Sequence, residues 1–348
     1  MNQNIQAPIE VKAEREYLVH LDRSWEDAVA EIAKAHNKIL IISPSEIAKS
    51  LKLERFSEKN IRIIQSPTGE AAKTPEFLLE MWQACGEFGL TRSDCIIGIG
   101  GGSTTDLAGF VAASWLRGIS WHAVPTSLAG MVDAAIGGKT GINATEGKNL
   151  IGAFHSPSSV IVDINFLDTL SERDFNAGMA EVIKAGFIAD PIILELAADA
   201  KRNVAELIYR SIKVKAKVVG SDFKESRLRE VLNYGHTLGH AIEKLEKYEL
   251  RHGEAVSIGL VFAAELSNIS SGLQSSVVEL HREMLGKFGL PITYRAEALP
   301  DLLDLMSGDK KSRGGALRFI GIEDIGKPIW MEAVTSDQIA EAYERISL

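Results

Sequence analysis

The sequence predicts an α/β N-terminal domain with a largely parallel sheet over 1–168, followed by a mainly α-helical C-terminal domain over 169–348. Three observations lead there. Short apolar runs alternate with amphipathic stretches in the first half, the pattern of helices laid on a parallel sheet. From about Ser171 strand signals nearly vanish, and apolar residues recur at helical three- and four-residue spacing. A chain of 348 residues also has length for roughly two domains.

In chain order, strands are predicted at 38–43, 61–66, 95–100, 122–125 and 159–164, with amphipathic helices at 75–88 and 106–116 among them. The break falls near 165–171. Beyond it, helical periodicity runs through 176–220, 226–246 and 254–270. No internal repeat or low-complexity segment is visible.

Apolar residues make up 45% and charged residues 24%, ordinary for a globular protein. The net charge of −9 argues against general nucleic-acid binding, which needs a basic face. It leaves room for one anionic small molecule at a local cluster of cations. The opening MNQNIQAPIEVKAEREY lacks a signal's apolar core, and the uncharged stretch 118–132 is too short to span a bilayer, so no membrane partner is expected. Cys85 and Cys95 are too few for a disulfide framework and read as reduced thiols of a cytoplasmic protein.

After the strand CIIGIG comes GGSTTDLAGFVAASWL. Glycines between strand and helix let backbone approach a ligand, and a helix start attracts anions. Ser103 stands where a third glycine would complete the dinucleotide fingerprint. The turn alone is also explained by tight packing, with Thr104 or Thr105 as the helix cap.

The segment RGISWHAVPTSLAGMVDAAIGGKTGINATEGKN sets Arg117, Lys139, Lys148 and Asn149 in a glycine-rich, nearly uncharged context. Cations so placed suit a phosphate, although a hairpin with two surface lysines would look the same. Lys310 and Lys311 form a further basic candidate, where a solvated run is the stronger alternative.

The stretch KESRLREVLNYGHTLGHAIEK carries the strongest chemistry. Glu225, Arg229, Asn233, His236 and His240 are spaced 4, 4, 3 and 4, which in a helix makes one polar stripe. Gly235 and Gly239 beside them each cost a helix about 1 kcal/mol relative to alanine, a cost explained if a ligand or backbone comes close. His252 opens a further helix in RHGEAVSIG, and Glu181 lies in GMAEVIKAG one turn before Lys184. One Glu and two His from separate elements offer three ligands of the kind zinc accepts, leaving a position open for substrate. His20, His36, His122, His155 and His281 lack such company and read as structural.

These segments, in order and internal spacing, resemble the 3-dehydroquinate synthase family of sugar phosphate cyclases over nearly the whole chain. The markers are GGGSTTD, VPTSLAGMVDAAIGGKTGIN, GKNLIGAFHSP, GMAEVIKAG, LNYGHTLGHAIE and RHGEAVSIGL. The resemblance implies a Rossmann-like sheet and an NAD- and metal-dependent lyase. It would place zinc or cobalt on Glu181, His236 and His252. The NAD site would comprise Gly102, Ser103, Thr104, Thr105, Asp106, Thr126, Ser127, Lys139 and Lys148, with Phe166, Leu167, Asp168 and Thr169. Thr68, Gly69, Glu70, Ala71, Ala72 and Lys73 would lie toward ribose and adenine. Substrate would be held by Asp133, Lys139, Asn149, Lys184, Lys215, Arg229, Asn233, His240 and Lys310. Lys184, Glu225, His240, Asp133, Asn233 and Arg229 would be catalytic. Family members are usually homodimers, and the match to Arg117 reaches the partner's phosphate pocket.

The implied reaction starts from 3-deoxy-D-arabino-heptulosonate 7-phosphate. A hydroxyl is oxidised by NAD⁺, phosphate is eliminated, the ketone is reduced again, and the opened ring closes to the carbocycle. Ser127 replaces a common threonine, Thr68 a frequent aspartate, and Phe223 a position often acidic. Ser43-Pro44-Ser45 lacks the acid often seen on the adenosine ribose, which leaves adenosine recognition open. Aminodehydroquinate synthases and other sugar phosphate cyclases are the nearest alternatives. Polyol dehydrogenases of similar plan lack the combined Lys139, Lys148, Asn149 and Lys184.

Overall fold

The computed structural model describes residues 7–21, 23–56, 60–224, 227–313 and 318–348, the side chains of 308–313 excepted. Two compact units emerge: Met1–Leu170 with Lys215–Lys224, and Ser171–Val214 with Glu225–Leu348.

In the first unit, nine strands form among the described residues: β1 (Ile9–Lys12), β2 (Glu16–Leu21), β3 (Ile39–Pro44), β4 (Ile61–Ser66), β5 (Cys95–Gly100), β6 (Ser120–Pro125), β7 (Lys139–Ala144), β8 (Gly147–Phe154) and β9 (Ser159–Val162). Seven make one sheet in the order β1-β2-β9-β6-β5-β3-β4, parallel except for the β1–β2 pair. Every residue of β3 and β5 is buried. Strands covered on both faces read as continuous apolar runs, which made them visible in the sequence.

Four strands of this unit escape that reading. β1 and β2 alternate buried apolar residues with exposed or half-buried ones over a few positions. β7 and β8 form an antiparallel hairpin from polar, glycine-rich sequence. Its glycines permit close strand approach, since a Cβ on Gly152 would stand 2.2 Å from the Thr140 carbonyl oxygen.

Helix Pro75–Phe88 spans the predicted residues. Thr74 caps its start, proline opens it, and Gly89 closes it at φ 66°. The helix expected from 106 begins at Gly102 and ends at Ser114, with Gly101 as N-cap. Neither threonine caps it; Thr104 and Thr105 are buried in its first turn.

The second unit is mainly helical: Glu172–Ile188, Ala200–Ser221, His236–Leu245, His252–Ser271, Ser275–Gly286, Leu299–Arg313 and Ser336–Glu344 are its longer helices. Strands are few after Ser171 among the described residues, as expected: β10 (Phe319–Asp324) and β11 (Lys327–Met331) pair as a hairpin turning at Gly326, φ 80°. One expectation needs correction, since 226–246 is not one helix. A 3₁₀ turn at Leu228–Asn233 ends at Tyr234, Gly235 takes φ 78°, and a new helix starts at His236. The continuous helical stripe is therefore interrupted, and Glu225 lies outside the described residues.

The last turns of Ala200–Ser221 group with the first unit for visible reasons. Lys215 pairs with Asp133, Gly220 lies against Lys12, and the Phe223 ring meets Phe154 edge-on at 5.3 Å. Both cysteines are buried and free. Among the described residues, no helix is long and apolar enough to cross a membrane.

Candidate active site

In the second unit, glycines set how closely three helices cross. A Cβ on Gly259 would stand 1.9 Å from the Gly235 carbonyl oxygen, and one on Gly239 3.2 Å from the Val256 Cα. A Cβ on Gly253 would lie 1.8 Å from the Ala177 oxygen. The glycine cost noted in the sequence is thus explained by backbone meeting backbone. Arg173, paired with Glu254 at 2.6 and 2.8 Å, and Arg251, paired with Asp174 at 2.8 Å, tie the starts of Glu172–Ile188 and His252–Ser271 together. Glu181, His236 and His252 then meet, with one ligand atom from each within 4.8 Å of the others.

Both imidazoles present Nε2 to that point. His236 Nδ1 lies 3.1 Å from the Tyr234 carbonyl oxygen, which can only accept, so Nδ1 carries the proton and Nε2 a lone pair. His252 Nδ1 lies 3.0 Å from Glu243 Oε2, a carboxylate–imidazole pair of the sort that orients a metal ligand. Their Nε2 atoms stand 3.3 and 3.5 Å from Glu181 Oε1. That oxygen is buried and has no hydrogen-bond partner, while Oε2 pairs with Lys184 at 2.5 Å. A buried carboxylate oxygen without a donor is costly, and one faced by two imidazole Nε2 atoms whose Nδ1 atoms are engaged elsewhere fits a shared cation.

The electrostatics agree. Burial opposes the charge on Glu181, yet Lys184 and the neighbouring imidazoles hold its carboxyl well below the usual range. Burial also opposes charging His252, but the Glu181 and Glu243 carboxylates overcome it and raise its pKa to about 10. Without a metal, a proton takes the cation's place. Burial and Lys184 push His236 down.

Glu243 was not singled out in the sequence. It stands seven residues after His236, two turns along the same helical face, and that spacing was the available signal. Of the other expected residues, His240 comes to 5.2 and 5.9 Å from the His236 and His252 rings. Arg229 is buried and Asn233 half-buried in the 3₁₀ turn. The Lys310 side chain lies outside the described ones.

The first unit gathers its own group. Glycines crowd the start of helix Gly102–Ser114: a Cβ on Gly100 would meet Thr104 Oγ1 at 2.4 Å, and one on Gly102 the Ala134 Cβ at 2.8 Å. No side chain caps this helix, so its first turn keeps the anion-attracting character of a helix start. The threonine side chains point elsewhere, Thr105 Oγ1 bonding the Gly102 oxygen at 2.9 Å. Thr126 is buried and Ser127 half-buried beside the turn.

Lys73, almost fully buried, holds Asp106 at 2.6 Å and also donates to Asn149 Oδ1. Burial raises the Asp106 pKa against the pull of Lys73. Asn149 sits at φ 58° with its N–H on Asn143, and Asn143 in turn donates to Glu70 at 2.7 Å. The expected cofactor segment 68–73 and the β7–β8 hairpin are therefore one network. Lys215 reaches Asp133 Oδ1 at 2.5 Å and also its carbonyl. Lys148 is half-buried; Lys139 and Arg117 are exposed, Arg117 at φ 65°. Phe166 is buried against Trp25, with Leu167 half-buried and Asp168 and Thr169 exposed after it.

An acid was missed here. Glu46 follows Ser43-Pro44-Ser45 directly and accepts the Thr68 hydroxyl at 2.6 Å.

Comparison with known proteins bears on these sites. Residues 63–177 match the family described as 3-dehydroquinate synthase N-terminal, and 178–312 that described as 3-dehydroquinate synthase C-terminal. The chain is 50% identical to the 3-dehydroquinate synthase of Streptomyces avermitilis over 97% of its length and 95% of the relative's. It is 51% identical to that of Streptomyces coelicolor, over 90% of each chain. A solved 2-deoxy-scyllo-inosose synthase, in complex with carbaglucose-6-phosphate, NAD⁺ and Co²⁺, superposes with TM-score 0.86 at 25% identity, over 97% of this chain and 100% of that one. The chain belongs to the 3-dehydroquinate synthase family.

Proposed function

We propose that this chain converts 3-deoxy-D-arabino-heptulosonate 7-phosphate to 3-dehydroquinate and phosphate, with 1–168 holding NAD and 169–348 holding metal and substrate. The observation that carries this reading is the buried Glu181 Oε1, without a hydrogen-bond partner and faced by two imidazole Nε2 atoms. When bound there and in the first unit, zinc or cobalt supplies a Lewis acid for the substrate oxygen and NAD a reversible hydride acceptor.

The chain's own residues hold and orient. Lys184 keeps Glu181 ionised, Glu243 aims His252, and the Tyr234 carbonyl sets the His236 tautomer. Lys73 fixes Asp106 and Asn149, and Lys215 fixes Asp133. Arg229, Asn233, His240, Lys139 and Lys310 complete the substrate contacts, Glu225 acts among the catalytic groups, and Lys148 serves the cofactor. The protein works in the cytoplasm as a homodimer, with Arg117 serving the partner's phosphate site.

Two experiments test this. With substrate, metal and substoichiometric NAD⁺, phosphate release should run to many turnovers per NAD. Accumulation of one NADH per turnover would return the chain to the dehydrogenases. Arg117→Ala and His236→Ala dimers should each be nearly inactive, and exchanging their subunits should restore up to about a quarter of wild-type activity on statistical pairing. No recovery despite exchange would reject the role of Arg117 across the dimer.

A further inference from the structure

A second group of ligand-type side chains lies in the first unit, made of residues given no part in the reaction. His36 ends the helix Trp25–Ala35, Cys95 opens β5, and His122 lies in β6. His122 is in register with Ile97, two residues along from Cys95, so period-two alternation puts both side chains on one sheet face. One ligand atom from each of the three lies within 4.8 Å of the others.

The hydrogen bonds around them leave the outer nitrogens. His36 Nδ1 lies 2.9 Å from the Ser93 carbonyl oxygen, which makes it the protonated nitrogen and leaves the lone pair on Nε2. His122 Nδ1 is engaged by Ser159 Oγ at 2.8 Å, and its Nε2 is buried without any partner. His122 is 8% exposed and held neutral, burial and nearby His36 lowering its pKa to about 3. A neutral imidazole with one nitrogen anchored and the other unpartnered, in a group that includes a thiol, is what a transition metal requires.

Cys95 is fully buried, and burial, with Asp94 beside it, raises its pKa. Alone it is an inert thiol. Binding a cation would release the thiol proton to solvent and form a metal–sulfur bond, relieving the penalty on the thiolate. A cavity of ≈ 240 Å³ lined by His20, Arg23, Glu31, His36 and His122 adjoins the two imidazoles and leaves room for solvent beside them.

We propose that His36, Cys95 and His122 form a second metal site, of the two-imidazole, one-thiolate class that takes Zn²⁺ or Co²⁺. It differs from the Glu181–His236–His252 group in containing sulfur, which makes it separately visible.

Metal-free full-length protein titrated with Co²⁺ should bind about two equivalents and develop a near-ultraviolet thiolate-to-cobalt charge-transfer band. Cys95→Ala should abolish the band and lower binding to about one equivalent. Cys85→Ala, which alters the other cysteine, should keep both. His36→Ala should weaken the sulfur-bearing site by at least about tenfold. Glu181→Ala should lower total binding while the band persists. A wild-type protein that binds one equivalent without the band, or a band surviving Cys95→Ala, overturns the second site.

Discussion

The two glycine-rich regions look alike in sequence and do different work. At the βα turn, Gly100 answers to Thr104, four residues on, within one local motif. In the helical unit, Gly259 answers to the backbone of Gly235 and Gly253 to that of Ala177, in other helices. One set crowds the start of a helix that no side chain caps; the other brings distant imidazoles onto one carboxylate. The difference teaches that glycine marks close approach, while its partner decides whether the result is a ligand cradle or a helix crossing.

The largest effect should come from the group the crossing assembles. Glu181→Ala, His236→Ala or His252→Ala should take turnover to near background and reduce bound metal, read by elemental analysis after dialysis. Full metal occupancy in all three would break the assignment.

Next comes the crossing itself. Gly259→Ala drives a Cβ into a backbone oxygen that cannot rotate away, so helices must separate. Denaturant unfolding should show a loss of about 1–3 kcal/mol, the range for overpacking, with weaker metal binding. Gly100→Ala instead meets a side-chain hydroxyl and should weaken NAD⁺ binding while metal content stays. Equal effects of both variants on metal would dissolve the contrast.

A smaller change sharpens it further. Glu243→Gln keeps the shape of the side chain but loses the charge behind His252, and metal affinity should fall about 10- to 100-fold with the fold intact. Competition with a chelator measures this; unchanged affinity would reduce Glu243 to a bystander.

The smallest expected effect lies at the other end of the first unit. Glu46→Gln should weaken NAD⁺ binding by about tenfold or less, the scale of one ordinary exposed hydrogen bond. Calorimetry would show it, and unchanged binding would remove Glu46 from the cofactor.

Legibility followed the same local-to-distant divide. The five core strands were readable because buried runs such as Ile39-Leu40-Ile41-Ile42 need no partner to be recognised. β10 and β11 were not, since their short mixed sequences become strands only by pairing. The stripe from Arg229 to His240 was read as one helix because spacing alone cannot reveal that Gly235 turns left-handed. Its histidines reached the site nonetheless, carried there by the crossing with His252–Ser271. Glu46 is not legible as this acid because it stands one residue beyond Ser43-Pro44-Ser45, and only the fold brings it to Thr68.

By itself the sequence determined the kinds of donor available, Glu181 with His236 and His252, and the apolar runs that build the parallel sheet. Those depend on residue type and near-neighbour spacing, which the chain carries openly. Only the tertiary structure decided which nitrogen each histidine offers, that Glu243 stands behind His252, that Lys215 belongs with Asp133, and that Glu181 Oε1 is left without a donor. Apart from the Tyr234 carbonyl, two residues before His236, these are set by groups further along the chain, brought within reach by packing in which a single added methyl would not fit.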